Sequence, residues 1–518
     1  MRNGGSPIEE GELAHFNTFD MFYRSLCALM FNYVPMSGHP GGSISSGRVV
    51  GGVLFDAMDY DMGRPGREDA DIISYAAGHK ALGLYAMWAL RNEIARAGAP
   101  ELLPEKESEQ LRLEDLLGFR RNPSNQTPLF LQFRSKALDG HPTPATPFVR
   151  LSTGASGVGV SSSLGLSFAT RDLFGKNAPR VHIVEGEGGM TPGRVSEAMA
   201  AAGTASLDNT FMHIDWNQAS IDSNRVCRDG EQPGEYVQWN PMEFAYLHDW
   251  NVIFVPDGKD YQQVMAAMRR ALTLDSTQPT AVVYSTIKGW QYGIEGRLSH
   301  GAGHKLCSDD FYSVLEPLLE KPKDRLPVCC DMNNKRCGGA DGTTVMEACL
   351  WEALTVIRRE IENRRPMVDY LAGRLTEARK RLEASGRARR EGAPRIEAVY
   401  ELAERGGSVI PPEMELAPGT ATTLRGELGK VLNHYNKASG GSFLVAAADL
   451  LGSTSVNKTA DGFPEGYYNA VTNPGARQLS IGGICEDAMS GVMSGLASFG
   501  HHIGAASSYG AFIAPCLL

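Results

Sequence analysis

Apolar positions along the chain follow two repeating patterns. Short β-branched runs at 180–184, 210–214, 252–255 and 280–284 each lead into a loop of Gly, Asp or Asn and then into helix-compatible sequence. That alternation predicts an α/β fold with doubly wound parallel sheets, whose ligands sit at the carboxyl ends of the strands. A long helix with aromatic, Leu and Met positions is predicted over residues 14–36, ahead of the loop Ser37-Gly38-His39-Pro40-Gly41-Gly42. From about 323 to 415 the texture changes. Residues 358–395 hold 12 Arg/Lys and 6 Asp/Glu, and Val368, Leu371, Leu375, Ala378 and Leu382 follow a helical seam after the break at Pro366. This stretch reads as a solvated, charged linker helix. After Pro411-Pro412 the α/β texture returns, with a strand over 443–448 ending at Asp449 and a Gly/Ala/Met-rich helix over 487–499. The last residues up to Leu518 are apolar, which points to a domain completed by more chain or by another polypeptide. The expected division is 1–322, a linker over 323–415, and 416–518.

Composition narrows the class. A chain of 518 residues is about three domains' worth at roughly 100–200 residues each. Hydrophobic residues at 42% and charged residues at 21% fit a globular protein and exclude a wholly disordered one. No apolar run reaches the roughly 18–20 residues of a membrane helix, and the start Met1-Arg2-Asn3-Gly4 has no apolar signal region, so a cytoplasmic location is expected. The net charge of −10 argues against nucleic acid as a partner. The 9 cysteines form no CxxC pair and no zinc spacing, and read as free thiols. Glycine is enriched, 58 of 518 or about 11% against roughly 7% on average, which suits tight turns and close backbone approaches.

Four segments carry candidate chemistry, and each alone is compatible with an ordinary structural loop. Gly38-His39-Pro40-Gly41 places a histidine on a flexible loop, and Gly78-His79-Lys80 places another at a helix start. Gly140-His141-Pro142 precedes the turn-rich run Ser152–Gly159, which brings backbone close to a ligand and offers a helix N-terminus to an anion. Glu185-Gly186-Glu187-Gly188 follows one strand, and Asp215-Trp216-Asn217 the next. A carboxylate and an amide meeting at a parallel-sheet edge supply hard oxygen ligands, suited to Mg²⁺ or Ca²⁺ bridging a phosphate rather than to zinc.

In this order and spacing, the segments resemble the transketolase family of thiamine diphosphate enzymes. Its GHPG loop, GH helix start, GHP loop, TGxxGxG segment, GDG…N metal motif, HG segment and GxxE…M motif appear at 38–41, 78–80, 140–142, 153–159, 186–188 with 217, 300–301, and 483–489. Leu207-Asp208-Asn209, Ile221-Asp222 and Thr286-Ile287-Lys288-Gly289 match as well. The resemblance covers most of 20–315 and 416–518. It implies a diphosphate-binding domain over 1–322 and the first part of a pyrimidine-binding domain over 416–518. It also implies a site built between two subunits, as a homodimer or as a heteromer whose other chain supplies the rest. Glu187, Asn217 and the Ala219 carbonyl would ligate Mg²⁺ or Ca²⁺ on the diphosphate. Gly154, Gly186, Gly188, Asp449, Leu450 and Tyr509 would contact the cofactor, with Gly154 on its 4′-amino group. Glu486 would hydrogen-bond the pyrimidine. His39, His79, His141 and His300 would relay protons to ketose or aldose oxygens, and Ser453 would touch substrate.

Three departures keep alternatives open. The metal aspartate of the family is Glu187 here, its carboxylate carried about 1.5 Å further by one more C–C bond. The glutamate five residues on is Pro192, and the sugar-phosphate arginine is replaced around Thr422-Thr423, with Arg425 nearby. Transfer of a two-carbon ketol unit leads. Decarboxylation of a 2-oxoacid with carboligation, or a non-catalytic scaffold subunit, remain the other readings.

Overall fold

The computed structural model describes residues 8–33, 38–120, 126–300, 309–316, 342–404, 410–512 and 514. The β-branched runs become an all-parallel sheet of five strands, β1 (Ile72–Tyr75), β2 (Val181–Gly186), β3 (Thr210–Trp216), β4 (Asn251–Val255) and β5 (Thr280–Ser285), in the order β1-β2-β3-β5-β4. Four of these strands match the runs read from sequence. The fifth, β1, is a four-residue strand too short to stand out from the helix-forming sequence around it. β1, β2 and β3 are buried at every position, as expected for parallel strands covered on both faces.

One face of the sheet packs on the helices Glu10–Tyr33 and Ala81–Gly98 in a core that includes Phe19, Phe22, Leu26, Leu84, Trp88 and Tyr284. The helix predicted over 14–36 is described from Glu10 to Tyr33; residues 34–36 lie outside the described residues. The other face packs on Val158–Phe174 and Gly193–Thr204. That second core continues into the C-terminal unit, whose two parallel strands are β6 (Phe443–Ala447) and β7 (Ile503–Ser507). Its helix Asp487–Ser498 lies directly on Val158–Phe174. A Cβ at Gly165 would overlap the Val492 carbonyl, and one at Gly495 the Ser162 carbonyl. Small residues on both helices therefore let the backbones touch, and the two units share one hydrophobic core.

The charged stretch is not a solvated linker. Gly342–Asn363 and Arg365–Ser385 are helices, and Val368, Leu371, Leu375, Ala378 and Leu382 are all buried in the first core. The basic side chains meet acids of the first unit: Arg358 with Glu93 at 2.8 Å and Glu114 at 2.9 Å, Arg381 with Asp59 at 2.6 Å, Arg387 with Asp71 at 2.8 Å, and Arg374 with Asp56. The local positive charge seen in the sequence is thus complementary to a folded acidic surface. Among the described residues, no helix is long and apolar enough to cross a membrane.

Candidate functional site

The site grows out of strand register. Gly186 on β2 pairs with Asp215 on β3, so the chain leaves both strands at the same height. Glu187 and Asn217 then emerge side by side beyond the carboxyl ends, and the Asn217 amide donates to Glu187 Oε2 at 3.3 Å. Above them lies a cavity of about 260 Å³ lined by His39, His79, Glu187, Asn217, Lys288 and His300, among others. Gly154, Gly186, Gly188 and Ala219 also line it. Gly78 has no room for a side chain there, because a Cβ would lie 2.5 Å from the Gly154 nitrogen. That contact seats the His79 turn against the loop before Val158–Phe174.

Glu187 is 2% exposed, and among the described residues its Oε1 has no hydrogen-bond partner. Burial, and then the charge of Asp215, push its carboxyl up to about 8. Asp215 itself is saturated: Lys80 Nζ donates at 2.7 Å, Ser45 Oγ at 2.6 Å and Asn217 Nδ2 at 3.1 Å to Oδ2, while Thr286 Oγ1 donates to Oδ1. Lys80 and Asp215 are the residues that reading the sequence passed over. Both lie inside quoted segments, but their pairing joins two elements far apart in the chain. Asn217 is turned by this network, since its Nδ2 donates to Asp215 and its Oδ1 accepts from the Ala219 amide at 3.0 Å.

Three histidines converge over this floor. The rings of His39 and His300 are 4.4 Å apart and those of His39 and His79 are 5.4 Å apart. Burial and the nearby Lys288 hold His39 down to about 4 and His300 to about 3, and burial with Lys80 lowers His79. All three are neutral imidazoles at neutral pH, able to accept a proton. Lys288 donates to His300 Nδ1 at 2.8 Å and to the Ala219 carbonyl at 3.2 Å, and burial brings its ammonium down to about 8. His141 does not line the cavity. It is exposed and stands behind Gly154, where a Cβ would come within 2.9 Å of its ring.

The residues singled out in the C-terminal unit are elsewhere. Glu486 immediately precedes the helix Asp487–Ser498 without a side-chain cap bond, and accepts from Ser508 Oγ at 3.1 Å. Asp449, exposed with φ +57°, follows β6 together with half-buried Leu450 and exposed Ser453. Tyr509 is 43% exposed. None of these lines the cavity of its own chain. Near Glu486, Glu197 Oε2 accepts from the Ala488 amide at 2.8 Å, and Pro192 precedes the helix Gly193–Thr204.

The donor set fits a divalent cation held with an anionic ligand. Among the described residues no three His, Cys, Asp or Glu side chains are grouped to hold a metal by themselves. A buried carboxylate oxygen without a partner, beside an amide oxygen and a main-chain carbonyl, is half of an oxygen shell, and a phosphate would supply more. The glycine-lined walls and the Lys288 ammonium suit a phosphate.

The family model "Transketolase, thiamine diphosphate binding domain" matches residues 110–344. Mouse transketolase is 31% identical over 268 residues, covering 52% of this chain and 36% of the relative. Mouse transketolase-like protein 2 is 29% identical over 253 residues, covering 49% of this chain and 34% of the relative. The aligned part thus spans about a third of these curated relatives. Among solved structures, transketolase from Leishmania mexicana superposes with TM-score 0.65 at 19% identity, covering 97% of this chain and 65% of the other. Transketolase from Campylobacter jejuni gives TM-score 0.62 at 20% identity, again covering 97% and 65%.

Proposed function

Because the chain belongs to the transketolase family, we propose that it is a thiamine diphosphate-dependent transferase that moves a two-carbon ketol unit from a ketose donor to an aldehyde acceptor in the cytoplasm. The observation that carries this reading is the buried Glu187 carboxylate, whose Oε1 has no partner among the described residues, beneath three neutral histidines. Glu187, Asn217 and the Ala219 carbonyl, which now accepts from Lys288, would hold Mg²⁺ or Ca²⁺. Gly154, Gly186 and Gly188 would bring backbone to the cofactor, which supplies the electron sink for cleavage of the bond beside the ketose carbonyl. His39, His79 and His300 would accept hydrogen bonds and protons from substrate hydroxyls, with His141 behind them on the Gly154 loop.

Glu486, Asp449, Leu450, Ser453 and Tyr509 would act on the cavity of a second copy, or of a partner chain. Exposed apolar side chains stand on both halves, Ile221 and Leu298 on the first and Ile484 and Tyr509 on the second, which supports a buried contact between them. In that assembly Glu486 would orient the cofactor's ring by a hydrogen bond, and Tyr509 and Leu450 would pack against it.

The test is titration of the purified chain with thiamine diphosphate in Mg²⁺ and separately in Ca²⁺, followed by turnover with a ketose donor or a 2-oxoacid. Cation-dependent binding, with ketol transfer that falls about 100-fold or more in Glu486→Gln, supports the reading. Turnover with the 2-oxoacid alone replaces ketol transfer by decarboxylation and carboligation. Failure to bind the cofactor, alone or with a partner chain, leaves a non-catalytic scaffold.

A further inference from the structure

On the far side of the first core, Arg91 is buried at 2% exposure on the helix Ala81–Gly98. Three rings enclose its guanidinium: Phe148 at 4.2 Å, Trp88 at 4.9 Å and Tyr60 at 5.5 Å. Among the described residues it has no carboxylate within 4.0 Å, and its Nε has no hydrogen-bond partner. The hydroxyl of Tyr60 is likewise buried, and among the described residues Arg91 is the group that interacts with it. Every other arginine around it has an assigned acceptor. Arg67 grips Asp69 through two hydrogen bonds, at 2.6 and 2.8 Å, and Arg64 pairs with Asp61 at 2.6 Å. A buried cation left without a counter-charge is costly, and cation–π contacts return only part of that cost even when desolvated. The fold leaves a charge uncompensated at this point.

Arg91 faces a small cavity of about 20 Å³, whose walls also include Arg150, Tyr60, Phe148 and Ile73. Arg150 donates to the Arg67 carbonyl at 3.1 Å and, among the described residues, has no carboxylate within 4.0 Å. Two acids reach the same cavity, but both are occupied: Asp61 by Arg64 and the Gly63 amide, Asp71 by Arg180, Arg387 and two backbone amides. The space admits about one water-sized species, which excludes a phosphate or a carboxylate-bearing metabolite. Phe148, in contact with Arg91, holds a left-handed backbone at φ +67°, and Trp88 Nε1 donates to the neighbouring Pro147 carbonyl at 2.9 Å.

We propose that this cavity is a binding site for a single halide-sized anion, chloride in solution, held between the Arg91 and Arg150 guanidiniums and the Tyr60 hydroxyl. The anion neutralises Arg91 and braces the 147–150 segment, which runs directly into the Gly154 loop of the candidate active site. The proposal does not depend on the chemistry of that site.

Thermal unfolding of the full chain in potassium chloride and in potassium gluconate, at equal ionic strength, tests it. Chloride raises Tm by about 2 °C or more, saturating with concentration. Crystals grown in bromide show an anomalous peak between Arg91 and Arg150, and Arg91→Met loses both the peak and the chloride dependence. Should that variant fail to fold, Arg150→Gln at the rim weakens the chloride dependence instead. Equal Tm in the two salts overturns the site, as does a rise that never saturates and persists in Arg150→Gln. A bromide-containing crystal with no peak in the cavity also overturns it.

Discussion

Glu187 and Asp172 are both carboxylates at 2% exposure, yet the protein treats them oppositely. Asp172, near the end of Val158–Phe174, receives two hydrogen bonds from Arg477, each at 2.9 Å, another from His502 at 2.9 Å, and Arg390 at 3.2 Å. Those donors come from the C-terminal unit and from the segment between the units, so one carboxylate ties three parts of the chain together. Despite burial, its pKa lies far below the usual carboxylate range. Glu187 has comparable burial and, among the described residues, no cation within bonding reach, and it is pushed up to about 8. A buried charge with partners from every side is cement. A buried carboxylate with one oxygen facing a cavity and no cation beside it is costly to ionise, and on the function proposed above a bound cation would supply the missing counter-charge.

The sharpest way to break this contrast is to neutralise each acid. Asp172→Asn strands Arg477 without its counter-charge and is expected to destabilise the fold by about 3–5 kcal/mol in denaturant unfolding. Glu187→Gln leaves no stranded cation. Its Tm stays level or rises, while cation-dependent affinity for thiamine diphosphate falls about 100-fold in a titration. Comparable stability losses in the two variants would mean that Glu187 is structural after all.

Buried neutral histidines sharpen the comparison through pH. His213 sits on β3 between His182 at 3.0 Å and the Tyr284 hydroxyl at 2.9 Å, and burial holds it down to about 3. The unfolded chain takes up a proton at this residue below roughly pH 6.5, whereas the folded chain does not. Acid therefore favours unfolding, and stability falls as pH drops from about 6.5 towards 3, with about 2 kcal/mol lost at pH 5 from this residue. Unfolding curves across that range should steepen below pH 6.5 and lose one proton's worth of slope in His213→Asn. The smallest effect belongs to the rim of the seam. Arg381→Ala removes the Asp59 pair and a hydrogen bond to the Met58 carbonyl at 2.9 Å, and is expected to cost about 1–2 kcal/mol by the same assay.

Much of the molecule was legible along the chain. The β-branched runs at 180–184, 210–214, 252–255 and 280–284 carry strand character in their own side chains, because parallel strands buried on both faces, as β2 and β3 are, need a largely apolar sequence. The Gly-His segments at 38–39 and 78–79 and the pair Glu187 and Asn217 were visible as motifs, and the structure gathers them around one cavity, whereas His141 lies outside it. The helical seam from Val368 to Leu382 was visible, but its destination was not. Twelve basic residues within 358–395 have the same composition whether they face water or an acidic wall, and only the positions of Asp56, Asp59 and Asp71 in space decide which.

The same limit governs the site. Lys80 and Asp215 meet at 2.7 Å only because strand register and the Gly78–Gly154 approach bring distant segments together. Arg91 looks like an ordinary helix residue until its neighbours prove to be rings. Local sequence fixes backbone preference and chemical type, which are properties of a few adjacent residues. The tertiary structure decides which charges find partners, because pairing and desolvation depend on groups hundreds of residues away.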